Sequence, residues 1–303
     1  MTNEQRAGAF WGLLVGDALG VPYEFHGASD LPPAERIEMQ PPRGFARAHA
    51  GTPPGTWSDD GAQALALLDT LLTNDGLAPD DLARRLLAWS DEGSYAVDER
   101  VFDIGIQTSH AFRALREGTP ALDAGPDGEW DNGNGSLMRV LPLALWHTGS
   151  DADLVRDARL QSRVTHGHVR SQLACALYCL WARRIATAHP APWEDAASTL
   201  ARLAAPAERD ELNRILAYDR DLGTGYVVST LHSAREALRA GGYEAVVRAA
   251  IAMGTDTDTT ACVAGGLAGL RDGVGAIPDR WMRALRGREI AEPLLDRLLA
   301  ARA

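Results

Sequence analysis

The chain has too few cysteines for a disulfide framework. Its three, Cys175, Cys179 and Cys262, show neither paired spacings nor a zinc pattern. Cys175 and Cys179 stand one helical turn apart and read as small hydrophobes in a reducing compartment, as does Cys262. Positive charge is also scarce: over 303 residues the formal net charge is −11. That argues against a nucleic-acid binder, which usually carries a basic patch. It also means that any anionic substrate must find its positive charge in metals, backbone N–H groups or single arginines. Long apolar runs are missing, and residues 174–182 are too few to span a bilayer. The opening Met1-Thr2-Asn3-Glu4-Gln5-Arg6 has no signal-peptide character. A soluble, cytoplasmic protein with no membrane partner is expected. Period-two alternation, βαβ punctuation, internal repeats and a domain linker are all absent.

What is there is ordinary globular composition, 46% hydrophobic and 23% charged. The helical patterns point to one all-α domain over residues 1–303, whose loops gather at a common site, with a monomer expected. Residues 5–20 carry a helical stripe, with Asn3 as the expected N-cap. Gly8, Gly12, Gly16 and Gly20 share one face of that helix. Each interior glycine costs a helix about 1 kcal/mol relative to alanine. Four together imply that another backbone approaches closely. Asp17 lies beside that seam, and Glu24 follows Pro22, which ends the helix. Residues 27–56 read as a long ordered loop. Further helices are expected over 62–72 (apolar and central), 81–90, from 105 through 115, from near 137 past 139, and over 172–186. Residues 187–220 look peripheral, and helices return at 227–238, 243–253 and from 261.

Three motifs carry chemistry. Asp256-Thr257-Asp258-Thr259-Thr260 holds two carboxylates two positions apart, which cannot share a helix face. They converge only from a loop or an irregular helix start, either as a helix cap involving Thr259 or Thr260 or as oxygen ligands for a hard cation. Ser58-Asp59-Asp60 opens the apolar helix and can by itself be plain N-terminal charge. Two such clusters change the balance, because four converging buried carboxylates repel unless cations separate them. Asn132-Gly133-Asn134-Gly135-Ser136 can present N–H groups to a phosphate or be a surface turn, and Arg139 would add charge. His166 and His168 can each contact substrate or be structural. Asp256-Thr257-Asp258-Thr259-Thr260 also fits Asp-x-Asp-x-Thr, the nucleophile sequence of haloacid-dehalogenase-type phosphatases. That motif should end an early strand, whereas here it follows a helical stripe near the end of the chain.

Taken together, Gly16-Asp17-Ala18-Leu19-Gly20 with Glu24, Trp57-Ser58-Asp59-Asp60, Asp103-Ile104-Gly105, the run from Gly133 to Arg139, Thr165-His166-Gly167-His168, Gly223-Thr224-Gly225-Tyr226 and Asp256-Thr257-Asp258-Thr259 are one ordered set. In them the chain resembles the ADP-ribosylglycohydrolase family, from about residue 8 to 281. The resemblance implies an all-α fold with two Mg²⁺ (or Mn²⁺) ions that hydrolyses the glycosidic bond at the anomeric carbon of ADP-ribose. Its partner would be an ADP-ribosylated protein or a small ADP-ribose conjugate, with nucleic acid only as a modified substrate. By position, the resemblance makes Ser58, Asp59, Asp60, Asp256, Asp258 and Thr259 metal ligands. Glu24, Asp59 or Asp60 would take a proton from the attacking water. Asp103, Gly133, Asn134, Gly135, Ser136, Leu137, Met138, Arg139 and His166 would hold the ADP-ribose. Gly61 stands where the family usually has Thr or Ser, and Ser58 where many members have Thr. A non-catalytic nucleotide binder, or a structural crystallin-like member, is the alternative that the same fold allows.

Overall fold

The computed structural model describes residues 1–302. Among them are α1 (Asn3–Gly20), α2 (Asp59–Asn74), α3 (Pro79–Glu92), α4 (Ile106–Arg116), α5 (Gly135–Met138), α6 (Leu141–Trp146), α7 (Asp151–Arg163) and α8 (Val169–Ala186). The series continues with α9 (Pro192–Leu203), α10 (Arg209–Leu216), α11 (Val227–Ala237), α12 (Tyr243–Ile251), α13 (Thr257–Asp272), α14 (Asp279–Ala284) and α15 (Arg288–Ala301). Short 3₁₀ turns join several of these helices. The described residues contain no strand, only the isolated bridges Gly27–Gly254 and Gly133–Tyr226. The all-α expectation is met.

The glycine face of α1 is the axis of the molecule. A Cβ placed on Gly8, Gly12 or Gly16 would lie 2.2, 2.5 and 2.2 Å from the carbonyl oxygens of Gly269, Gly265 and Ala261 in turn. The order runs backwards along α13, so the two helices pack antiparallel with their backbones in contact. Gly265 and Gly269 answer from the other side, 2.6 and 2.0 Å from Gly12 O and Gly8 O on the same test. Glycine lowers helix propensity at these positions, and the close approach is what requires it. At the end of the seam a Cβ on Gly20 would meet Asp258 Cα at 2.4 Å. The C-terminus of α1 is thereby set against the first turn of α13.

Around this pair α2 and α8 are buried along most of their length, and Tyr178 on α8 donates to Val263 O at 2.9 Å. The core is one continuous apolar cluster, and the three free cysteines lie buried in it. No helix is long and apolar enough to cross a membrane.

Three local expectations are corrected. The N-cap of α1 is Thr2, not Asn3, because Thr2 and Gln5 form a reciprocal capping box. The helix expected to run past 139 stops at Met138 and restarts at Leu141. Pro142 has no N–H to offer the Met138 carbonyl, which instead faces Cys262 Sγ at 3.7 Å. Neither Thr259 nor Thr260 caps α13: the N-cap is Asp256, without a side-chain cap, and Thr260 Oγ1 donates to Asp256 O at 2.7 Å.

Candidate active site

The α1–α13 seam delivers two loops to one place. Beyond Gly20 the chain turns through Val21–Tyr23 to Glu24, while the segment before α13 carries Asp256. Thr257 Oγ1 donates to Gly20 O at 2.8 Å, and the N–H groups of Phe25 and Thr255 bond to Thr255 O and His26 O, both at 2.7 Å. Thr255 and Phe25 take left-handed φ values of 64° and 63° to make this exchange. Strain of this kind persists only where the surroundings over-determine it.

The third wall is the start of α2. Asp17, fully buried on α1, accepts the Ser58 N–H (2.9 and 3.1 Å to its two oxygens) and the Gly61 N–H (2.8 Å). It pins the turn on which Asp59 and Asp60 stand. Both its oxygens are engaged by N–H groups, so its role is to position, although it lies in one acidic grouping with Asp60 and Asp258. Ser58 caps α2 and its Oγ donates to Asp60 Oδ2 at 3.0 Å. A side chain at Gly61 would strike Trp57 Cγ at 2.8 Å and Leu14 Cδ2 at 2.9 Å. The hydroxyl that the family resemblance implies at this position has no room here, and the main-chain bond to Asp17 secures the turn.

Asp59, Asp60, Asp256 and Asp258 thus come together, as expected, with Glu24 beside them. Burial raises the pKa of all five carboxyls, and neighbouring carboxylates add to it in each. Glu24 is pushed up to about 10 and Asp17 to about 7, burial being the first cause in both. Two buried carboxylate oxygens, Asp60 Oδ1 and Asp258 Oδ2, have no hydrogen-bond partner. An unpaired buried acceptor is costly, and oxygen donors crowded like this suit a hard divalent cation. The residues therefore fit such an ion. Asp258 belongs to two groupings of close ligand atoms, one with Asp17 and Asp60 and one with Glu24 and Asp256.

These groups stand at the wall of a cavity of about 380 Å³, lined by Glu24, Asp59, Asp103, Gly133, Asn134, Gly135, Met138, His166, Asp256 and Thr259 among others. Ser58, Asp60 and Asp258 lie behind the lining. Thr259 Oγ1 reaches Asp60 Oδ2 at 3.3 Å. Asn134 Nδ2 donates to Asp256 Oδ2 at 2.7 Å and to Thr230 Oγ1 at 2.9 Å. The neutral form of His166 is favoured by burial and by Arg139, which lower its pKa to about 3, and its Nδ1 pairs with Thr165 Oγ1 at 2.8 Å. His168 instead caps α8.

Part of the glycine-rich run departs from expectation. Ser136, Leu137 and Arg139 do not line the cavity; all three are fully buried. Arg139 points inward, donating to Gln161 Oε1, Gln161 O and Gln63 Oε1 at 2.9–3.0 Å. A buried guanidinium needs several acceptors, and the two glutamines supply them in the interior. Gln63 Nε2 in turn donates to Asp59 Oδ2 at 3.3 Å, so Arg139 reaches the site only through another side chain. The N–H groups of Asn134, Leu137 and Met138 are spent on Gly225 O and Asn134 O. The phosphatase reading fails on the backbone: Asp256 and Asp258 start α13 directly after α12, with no strand before them.

Sequence reasoning missed His49. It lies in the loop before α2, yet its Nε2 sits 2.6 Å from Glu24 Oε2. The contact spans 25 positions of irregular chain, and no local pattern announces it.

Residues 2–303 match the family model described as ADP-ribosylglycohydrolase. The ADP-ribosylarginine hydrolase Tri1 of Pseudomonas putida is 30% identical over 97% of this chain and 78% of its own. The ADP-ribosyl-dinitrogen reductase glycohydrolase of Rhodospirillum rubrum is 28% identical over 93% and 90%. A solved structure titled as an ADP-ribosylglycohydrolase-related protein complex superposes with a TM-score of 0.79 at 32% identity, covering 99% of both chains. The fold, the acidic centre and these relatives agree: the chain belongs to the ADP-ribosylglycohydrolase family.

Proposed function

We propose that this protein is a divalent-metal-dependent hydrolase that cleaves the glycosidic bond at the anomeric carbon of ADP-ribose, releasing it from a modified protein or a small conjugate. One observation carries the reading. Five buried carboxyls crowd at and just behind one cavity wall, and two of their oxygens, Asp60 Oδ1 and Asp258 Oδ2, lack any partner. A structural or purely nucleotide-binding protein has no physical reason to keep such a cluster.

Ser58, Asp59, Asp60, Asp256, Asp258 and Thr259 would hold two Mg²⁺ or Mn²⁺ ions, Ser58 after release of its bond to Asp60. Such ions supply Lewis acidity and lower the pKa of bound water. The remaining work falls to the chain itself. Glu24 stands at the cavity wall and would be the general base that takes the proton of the attacking water, once bound cations offset the neighbouring carboxylates that otherwise help to keep it protonated. As the C–N or C–O bond to the leaving group breaks, that proton becomes available to the departing side chain, giving free ADP-ribose and the unmodified acceptor. Neutral His166 and the carboxylate of Asp103 offer polar contacts to the sugar, while Gly133 and Gly135 allow close approach of the substrate to the backbone.

A second cavity, of about 660 Å³, is lined by Trp130, Tyr218 and Tyr226 with Arg214 and Arg220. Its Asn132 and Tyr226 are chain neighbours of Gly133 and Gly225 in the first. Flat aromatic rings and guanidinium groups suit a base and a phosphate. We assign the adenosine end to this side and the scissile bond to the acidic side.

For the linkage, arginine is the reading we favour, supported by the relative named as an ADP-ribosylarginine hydrolase. The test is release of ADP-ribose from arginine-, serine- and ester-modified proteins, with Mg²⁺ and with EDTA. Turnover on arginine conjugates that EDTA abolishes is expected. No release from any conjugate in the presence of Mg²⁺ would overturn the hydrolase.

A further inference from the structure

The loop before α2 is built to present one side chain. Residues 47–52 contain two alanines and a glycine and belong to no helix, yet each carbonyl from His49 to Thr52 has a donor. Thr52 N–H bonds to His49 O at 2.7 Å. The Arg47 guanidinium bonds to Ala50 O at 2.7 Å and to Thr52 O at 3.4 Å, and Arg100 bonds to Gly51 O at 2.5 Å. Ala48 N–H ties the same loop to Pro22 O, two residues before Glu24, at 3.0 Å. His49 itself takes φ 47°, a conformation that a residue with a Cβ seldom adopts.

The ring held in this way lies between Phe25 and Phe102, at centroid distances of 5.4 and 5.0 Å. Phe25 and Asp103, the neighbours of Glu24 and Phe102, also have left-handed backbones, φ 63° and 61°. Three strained residues therefore surround one carboxylate. His49 Nε2 lies 2.6 Å from Glu24 Oε2, with the glutamate side chain 6% exposed and the imidazole 16%. Asp103 stands close by, its ligand atom within 4.8 Å of both groups. Between a neighbouring carboxylate and open cavity, a free glutamate would have several orientations of similar energy.

We propose that His49 is the positioning residue that aims Glu24: its ring N–H engages Oε2, the two phenylalanines fix the ring plane, and the other glutamate oxygen is left for the cavity. This rests on the reading of Glu24 as the general base. The plain alternative is that His49 fills space between two aromatic rings. A phenylalanine would fill that space equally well, whereas a glutamine would lose the tilted ring contacts and keep an N–H donor. The two roles therefore separate.

The experiment compares wild type, His49→Phe and His49→Gln on an ADP-ribosylated protein with Mg²⁺, and crystal structures of the wild type and the phenylalanine variant. A general base contributes about 10²–10⁴-fold to a rate. Losing its orientation should lower the kcat of His49→Phe about 10- to 100-fold, with KM within about threefold. His49→Gln should recover most of the loss although it makes poorer contact with the two rings. In the crystal of His49→Phe the Glu24 carboxylate should leave its wild-type position. Wild-type kcat in His49→Phe, or a His49→Gln variant as slow as it, would overturn the proposal. So would a Glu24 carboxylate that superposes in the two crystals. An inactive wild type would sink the hydrolase reading alone, because the crystallographic comparison still decides what holds Glu24.

Discussion

The α1–α13 seam and the rim of the cavity hold the same site by opposite means. Along the seam, Gly8, Gly12, Gly16 and Gly20 remove side chains so that two regular helices meet backbone to backbone. At the rim, irregular chain carries large side chains in unfavourable conformations: Phe25, His49, Asp103 and Thr255 all have positive φ. The seam gains stability from close packing and leaves no freedom at Gly20 and Asp258. The rim spends some of that stability on orienting Glu24 and its neighbours. Substitutions in the seam should therefore damage the fold, and substitutions at the rim should damage turnover.

The largest effect is expected where the two regions meet. Asp258→Ala should lower ADP-ribose release by at least about 10³-fold, since ion-stabilised charge is worth several kcal/mol. Calorimetry should show the loss of divalent-ion binding as well. Full Mg²⁺-dependent turnover in that variant would remove Asp258 from the site. Within the seam, Gly16→Val would drive its side chain into Ala261 O, already 2.2 Å from a bare Cβ. A cost of about 3 kcal/mol or more is expected, read as a lowered melting midpoint; an unchanged midpoint would mean that α1 and α13 can separate freely.

Tyr226→Ala tests the nucleotide side of the rim. Base–aromatic stacking is worth about 1–3 kcal/mol, so KM should rise about tenfold or more while Tm moves little. An unchanged KM would place the base elsewhere.

The acidic centre joins the comparison through pH. Asp17 and Glu24 titrate upward in the folded state, to about 7 and about 10, so the native state binds more protons than the unfolded chain above the ordinary carboxylate range. Stability of the metal-free protein is then full below the unfolded pKa values and falls as pH rises through the folded ones. Differential scanning calorimetry in EDTA should show Tm decreasing from pH 5 to pH 8. Mg²⁺ should flatten that slope. A Tm that rises over the same range without metal would contradict the burial of these groups. The smallest shift belongs to Phe25→Ala: with Phe25 69% exposed, its stability cost should stay near 0.5 kcal/mol, about 1–2 °C. Its turnover should nevertheless drop through the loosened His49.

How far the sequence reaches follows from range. The glycine spacing of α1 is a local pattern, and its cost to the helix already implied a close backbone partner. The partner's identity and antiparallel direction came from residues more than two hundred positions away. Asp59, Asp60, Asp256 and Asp258 were legible as a convergent pair of clusters because four carboxylates at helix starts make sense together. Arg139 was misplaced because its position in the motif does not say which way it points. Its two glutamine acceptors, Gln63 and Gln161, lie on different helices.

From the sequence alone follow the all-α class, the family motifs and the acidic residues of the centre. Helical period, the cost of glycine and carboxylate repulsion are properties of short segments or of residue types. Only the tertiary structure decided that Asp17 pins the Ser58–Gly61 turn, that Gly61 has no room for a side chain, and that His49 meets Glu24. Those facts depend on which surfaces approach within a few ångströms, and in irregular chain that is set by packing across the whole fold.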